Sequence, residues 1–209
     1  MDLHIALVRL LKLRPCKKKI SRQHSAAVAA ACARLHDIDE ATQKGRGDYA
    51  QENQTNNESL ITWRPQFTKD IFILVTQHSH ECVVGVLEHG AVQFLSSEDL
   101  YAALPNHNSA IFFAHVTCDV VEDLKQTVVL VYDMWFCDSF AQEYDVGCRY
   151  ARLLEFRQDI ENMFYLGNAI WKIQWLGHSE CYEKLMNLNV PHPKDGVVAV
   201  GGLAGYTLV

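Results

Sequence analysis

The stretch AIFFAHVTCDVVEDLKQTVVLVYDMW, residues Ala110–Trp135, contains two long runs of β-branched and aromatic residues. The charged segment Glu122–Gln126 separates the two runs. Residues of these types favour extended strands, and a short polar connection between two strands predicts antiparallel pairing. The sequence therefore predicts a central strand pair, Ala110–Val121 and Thr127–Trp135.

The regions on either side of this pair predict further strands and helices. Before it, Glu88-His89-Gly90 is typical of a tight hairpin turn between two short strands. After it, apolar residues recur at helical spacing over Arg149–Leu166. The remaining predicted elements are strands at Asp70–Thr76, Cys82–Leu87, Ala91–Leu95, Ala169–Leu176, Gly196–Val200 and Tyr206–Val209, and short helices within 96–104 and at Ser179–Leu188. This order predicts an α+β fold with a mainly antiparallel sheet rather than a regular βαβ repeat.

The N-terminal part differs in composition from the rest of the chain. Leu3–Leu13 and the alanine-rich Ser25–Leu35 are predicted to be helices. Residues 37–60 are polar, with almost no large apolar side chain, which is typical of a linker. We expect a helical arm at 1–36, a linker at 37–60 and a folded domain at 61–209.

Charge and cysteine content restrict the classes of function. Residues 1–48 carry ten basic and five acidic residues, a net charge of +5, and the remainder carries nine basic and twenty acidic residues, a net charge of −11. An acidic body does not suit tight nucleic-acid binding, which requires clustered basic side chains. The seven cysteines form no CxxC pair, so reduced thiols and an intracellular location are expected.

One segment near the C-terminus resembles a known nucleotide-binding motif. Pro193–Val200 reads PKDGVVAV, an Asp-Gly pair followed by apolar strand residues. Taken alone, the pair Asp195-Gly196 also fits a plain turn. Together with the order of the elements, it resembles the nucleotidyltransferase domain shared by mRNA capping enzymes and polynucleotide ligases. Within that superfamily it is most similar to the late expression factor capping subunit of baculovirus-type viral RNA polymerases.

The resemblance covers about Ile71 to Val209 and implies roles for several residues. It implies an antiparallel-sheet, ATP-grasp-like nucleotidyltransferase core, with Asp119 and Asp195 beside a metal ion and the nucleotide. Tyr132 would stack on the purine, unless it is ordinary core packing. Lys172 and Gly196 would complete the nucleotide-binding set.

The chain departs from the family where covalent chemistry begins. The family's first motif is Lys-x-Asp-Gly-x-Arg, whose lysine amine attacks the α-phosphate. Here Gln77 occupies the lysine position in Gln77–Cys82. Gly205–Val209 reads GYTLV, and the final Lys-x-Lys motif and the C-terminal oligonucleotide-binding (OB) domain do not follow in this sequence. We therefore expect no catalytic nucleophile.

The resemblance implies GTP with Mg²⁺ or Mn²⁺ as ligands, or none if the pocket is inactive. It implies viral transcription proteins as partners, weak contact with RNA at most, and the host nucleus as one location. Two alternatives stay open: an interaction module with no nucleotide site, and a different α+β domain. His78 and His80 share one strand face, but two ligands are too few for a metal site.

Overall fold

The computed structural model describes residues 13–16, 20, 22–44, 60–76, 82–97, 109–121, 124–136, 145–162, 169–200 and 206–208. Within them the helices are α1 (Ser25–Lys44), α2 (Val146–Glu155), α3 (Arg157–Asn162) and α4 (Tyr182–Met186). The strands are β1 (Arg14–Pro15), β2 (Leu60–Pro65), β3 (Lys69–Val75), β4 (Cys82–Glu88), β5 (Ala91–Ser97), β6 (Ala110–Val121), β7 (Leu124–Phe136), β8 (Ile170–Ile173), β9 (Lys194–Val200) and β10 (Tyr206–Leu208). The fold is mixed α+β, as predicted.

The larger sheet has seven strands in the order β1-β5-β4-β3-β6-β7-β8. The predicted central pair is confirmed, since β6 and β7 form a long antiparallel hairpin. The β4–β5 hairpin is also confirmed. His89 and Gly90 both have positive φ there, which matches the right-handed twist of the flanking strands. All pairs in this sheet are antiparallel except β7 with β8, which is parallel.

The two faces of the large sheet are buried by different partners. One face packs against α2 and α3 through a cluster that includes Leu153 and Ile160. The other face packs against α1 and against the inner side of a second sheet, whose strand order is β10-β9-β2. Helix α4 covers the outer side of this small sheet through Leu185.

Helix α1 extends to Lys44, into the stretch that the sequence pattern assigns to a polar linker. The reason is that Ile38 is fully buried and continues the apolar stripe of Val28, Ala31 and Leu35 at helical spacing. The helix packs on the large sheet rather than standing apart from it. The structure also contains β2, which the sequence pattern did not predict. None of the helices in the described part of the chain combines the length and apolarity that crossing a membrane requires.

Candidate functional site

The strand β6 carries a row of polar residues on one face. His115, Thr117 and Asp119 are every second residue of the strand and therefore point to the same side. Ile111 and Phe113, earlier in the strand, point to that side as well. All three polar side chains are buried. Buried polar groups need hydrogen-bond partners, so the role of this face of β6 follows from the partners of these three side chains.

Asp119 is bonded to a histidine from the segment that precedes β9. His192 Nδ1 lies 2.7 Å from Asp119 Oδ1, and the indole Nε1 of Trp63 donates to His192 Nε2 at 2.9 Å. Since the indole can only donate, Nε2 is the accepting nitrogen, and Nδ1 carries the proton that goes to Asp119. The carboxylate is 4% exposed. This Asp119–His192–Trp63 chain joins the large sheet to the small sheet.

A second carboxylate, Asp70, is partly buried at the start of β3, directly opposite His115 on β6. Asp70 Oδ1 is 2.6 Å from His115 Nδ1, and Arg64 reaches both oxygens of Asp70, at 3.2 and 2.7 Å. Burial lowers the pKa of His115, although Asp70 opposes this effect. Burial alone would raise the pKa of Asp70, but the adjacent Arg64 and His115 hold it well below its usual range. With His115 neutral, Arg64 is the charge that keeps Asp70 ionised.

Tyr132 lies in the centre of the same interior. A register shift between β6 and β7 at Phe113/Ala114 makes Tyr132 the extra residue of a β-bulge. Its ring is fully buried and stacks on His115, with 4.4 Å between the centroids and an interplanar angle of 23°. The guanidinium of Arg34 from α1 lies over the same ring at 5.7 Å.

The third buried carboxylate, Asp133, also belongs to the bulge. Arg34 Nη1 lies 2.7 Å from Asp133 Oδ2, and Arg149 Nε from α2 lies 2.9 Å from Oδ1. Burial would raise the pKa of Asp133, but the two arginines hold it below its usual value. This ion triad connects α1, β7 and α2.

The other sequence-predicted residues are exposed and lie outside this interior. Lys172 on β8 is exposed, and so is Asp195 on β9. Gly196 has a φ of +130°, a conformation that side-chain-bearing residues rarely adopt. Neighbouring Lys194 donates from Nζ to the carbonyl oxygens of Leu185, Met186 and Leu188, at the C-terminal end of α4.

The structure places the predicted residues in different surroundings. The end of β6 is joined to the segment 191–193, which shortly precedes Asp195. Asp119 contacts His192, and Val120 N donates to the Pro191 carbonyl at 3.0 Å. Tyr132 lies in the core beneath α1. Lys172 lies on the neighbouring strand β8, opposite Leu130 of β7. Gln77, His78 and His80 lie outside the described residues. Among the residues that the structure does describe, no cluster of three His, Cys, Asp or Glu side chains could hold a metal ion.

Sequence reasoning missed the residues that connect these networks, namely Arg34, Arg64, Asp70, Asp133, Arg149 and His192. One signal was available for Asp133, a charged residue within the apolar run Val128–Phe136, since a buried charge must be paired. No local pattern identifies its partner Arg34, which is 99 residues away in the chain.

Comparison with known proteins adds no relative. No protein-family model and no curated protein matches the chain.

Proposed function

We propose that this chain is a degenerate capping-type nucleotidyltransferase domain that does not catalyse guanylyl transfer alone and serves as a subunit or fragment of a viral transcription and capping assembly. The observation that carries the proposal is the bond between Asp119 and His192. The carboxylate expected to contact ribose or metal is 4% exposed and engaged by a buried imidazole. In this proposal, a former ligand position now stabilises the fold.

The chemistry of the nucleophile position supports the same proposal. Guanylyl transfer of this type requires an amine that forms a phosphoramidate, and the Gln77 carboxamide does not have one. Loss of a covalent nucleophile raises the barrier by roughly 5–8 kcal/mol, which is several orders of magnitude in rate. The acidic body, with its net charge of −11 from nine basic and twenty acidic residues, would also repel a nucleoside triphosphate.

The residues assigned to the metal fit Mg²⁺ or Mn²⁺ poorly. Such ions prefer several carboxylate oxygens that converge on one point. Asp119 Oδ1 faces the protonated Nδ1 of His192, whereas Asp195 is exposed on a different strand. We therefore derive no chemical step through a bound metal ion.

The test is a labelling experiment on the whole chain. The protein is incubated with α-labelled GTP and Mg²⁺ or Mn²⁺, and covalent protein–GMP is measured after denaturing electrophoresis. We expect no adduct from the natural sequence, and an adduct would overturn the proposal of an inactive domain. In Gln77→Lys, an adduct that is absent from the exposed-loop control Gln66→Lys would support descent from the capping family.

A second candidate function is a protein-interaction module without any nucleotide site. It is favoured by the large apolar side chains that are exposed, which mark contact surfaces when they cluster. They are Phe67 (65% exposed), Val120, Trp175, Tyr182, Met186 and Leu188. Calorimetric titration with GTP tests this second candidate. Micromolar binding that is lost in Asp195→Ala would exclude a module without a nucleotide site.

A further inference from the structure

The guanidinium of Arg34 sits in a socket of three aromatic rings and one carboxylate. Its central carbon lies 4.3 Å from the ring centroid of Phe113, 5.1 Å from that of Trp135 and 5.7 Å from that of Tyr132. Its Nη1 donates to Asp133 Oδ2 at 2.7 Å. The arginine belongs to α1, whereas every wall of the socket belongs to β6 and β7.

The chemistry of the socket suits a guanidinium better than other groups. A planar, weakly hydrated cation can stack on aromatic faces and donate in its plane to a carboxylate at the same time. An ammonium is more strongly hydrated and lacks the planar arrangement of donors. An apolar side chain would leave Asp133 Oδ2 with only the longer hydrogen bond from Arg149 Nη2, at 3.2 Å, which is costly for a buried carboxylate.

The carboxylate of the socket is also held by contacts other than Arg34. Asp133 Oδ1 accepts from Arg149 Nε at 2.9 Å and from the backbone nitrogen of Met134 at 2.8 Å. These bonds hold the carboxylate in place from β7 and α2. A site whose walls are held by other contacts is preorganised for its ligand, whichever chain supplies that ligand.

Helix α1 makes a thin cover over the socket. Among the side chains of α1 that the structure describes, five apolar ones are buried in the core; two of these are alanines, and the other three are Val28, Leu35 and Ile38. Since apolar stabilisation scales with the area removed from water, a helix rich in buried alanine contributes little per turn. The ion pair between Arg34 and Asp133 therefore adds to the apolar contacts that hold α1 on the sheet.

We infer that this socket is a binding site for an arginine side chain of a partner protein, and that α1 is an autoinhibitory cover in which Arg34 occupies the site intramolecularly. A partner arginine replaces Arg34 with the same hydrogen bond and the same ring contacts. The exchange leaves the number of charge pairs unchanged. The cost of opening then lies in the other contacts of α1, which include its buried apolar residues. This inference does not depend on any nucleotide binding by the chain.

The first experiment is chemical rescue of the full-length Arg34→Ala variant by methylguanidinium. The probe is used at millimolar concentration, far below the molar range in which guanidinium salts unfold proteins. We expect the variant to lose roughly 10 °C in Tm and methylguanidinium to restore a measurable part of that loss. Tetramethylammonium chloride and sodium chloride should not restore it. An equal response to all three salts would overturn the inference.

Arg152→Ala is the matched control, because Arg152 forms an exposed ion pair with Glu155 in which both side chains are 58% exposed. Its Tm should change little and should not respond selectively to methylguanidinium. A selective response in this control would show that the effect is unrelated to the socket.

The second experiment uses the natural sequence, so that it holds even if Arg34→Ala does not fold. Hydrogen exchange is followed by mass spectrometry with and without methylguanidinium. We expect faster exchange in peptides from 25–44, because the ligand competes with Arg34 and favours detachment of α1. Peptides from β6 and β7 should exchange unchanged. If hydrogen exchange in peptides from 25–44 is not accelerated across the millimolar range, the proposal that α1 is a displaceable cover is overturned.

Discussion

His192 Nδ1 lies 2.7 Å from Asp119 Oδ1, within the buried junction between the two sheets. Beside this contact, Val120 N donates to the Pro191 carbonyl at 3.0 Å and Gln66 N donates to the Pro193 carbonyl at 2.8 Å. The histidine thus fixes the segment that leads into β9 against the end of β6. Removal of the donor would leave a buried carboxylate without its hydrogen-bond partner, which is costly.

We therefore predict that His192→Ala destabilises the protein strongly. The substitution leaves the Asp119 carboxylate buried without its imidazole partner and removes the acceptor of the Trp63 indole. The expected loss is roughly 3 kcal/mol in the free energy of unfolding. Urea unfolding followed by tryptophan fluorescence measures it.

The exposed His178 gives the control for this prediction. His178→Ala should change the free energy of unfolding by less than about 0.5 kcal/mol. Equal effects of the two substitutions would contradict the structural role of His192. Asp119→Asn should be milder than His192→Ala, since an amide oxygen still accepts the proton of Nδ1.

The larger elements were predictable because their signals are local. The β-branched run over Ala110–Val121 and the turn at His89-Gly90 each carry their information within a few residues. β2 was missed because all six residues of Leu60–Pro65 are buried, so the strand has no apolar–polar alternation, and because it contains Arg64 and ends in proline. The end of α1 was missed because a single buried residue, Ile38, extends the helix through polar surroundings.

The interior networks were not predictable, because long-range pairing decides them. Asp119 was singled out as a ligand residue, yet its partner His192 is 73 residues away in the chain. Tyr132 was expected to stack on a purine, and in the structure the ring it stacks on belongs to His115. Both positions are special in the sequence because a polar or aromatic group is buried there. The sequence alone does not say what that group contacts.

The next prediction concerns acid sensitivity and rests on His115. Burial lowers the pKa of this histidine below its ordinary value of 6.5. The unfolded chain therefore binds a proton at a higher pH than the folded chain does. The stability that neutral His115 contributes to the folded state is fully present above pH 6.5. It is lost as the pH falls from 6.5 towards the lower pKa of the folded state. In that range the free energy of unfolding should fall by up to about 1.4 kcal/mol per pH unit because of this single histidine.

The variant His115→Gln tests this assignment, because an amide can still donate to Asp70 but does not titrate. Its free energy of unfolding should vary less between pH 7 and pH 5 than that of the natural sequence. His178→Gln, at an exposed position, should leave the profile unchanged. A profile in His115→Gln that is as steep as the original would contradict the assignment. Asp70 and Asp133 act at lower pH, because their depressed pKa values withdraw stability only below about 3.8.

A third prediction concerns the close contact of Gly85 on β4 with Phe72 on β3, which are directly paired. A Cβ atom at Gly85 would lie 2.2 Å from Cε1 and 2.3 Å from Cζ of the Phe72 ring. Because this ring is fully buried between Phe94 and Phe113, it has little room to shift. Gly85→Ala should therefore cost roughly 1–3 kcal/mol in the free energy of unfolding.

The double variant Gly85→Ala/Phe72→Leu separates the clash from a general loss of core packing. Phe72→Leu alone removes ring volume and destabilises the protein, but it also frees space for the new methyl group. The two substitutions should therefore be less harmful together than the sum of their separate effects, by more than about 0.5 kcal/mol. Strict additivity in thermal or urea unfolding would contradict the clash.

The last prediction concerns the backbone conformation of Gly196. Its φ is +130°, and a Cβ atom placed on it would meet no other heavy atom within 4 Å, so any cost of substitution comes from the backbone alone. Gly196→Ala and Gly196→Asn should each lose roughly 1–3 kcal/mol in the free energy of unfolding. At Gly90, whose φ is +78°, asparagine should be tolerated better than alanine, because asparagine adopts left-handed helical backbone more readily. The same rescue by asparagine at Gly196 would contradict this assignment, since a φ of +130° lies well outside the left-handed helical region.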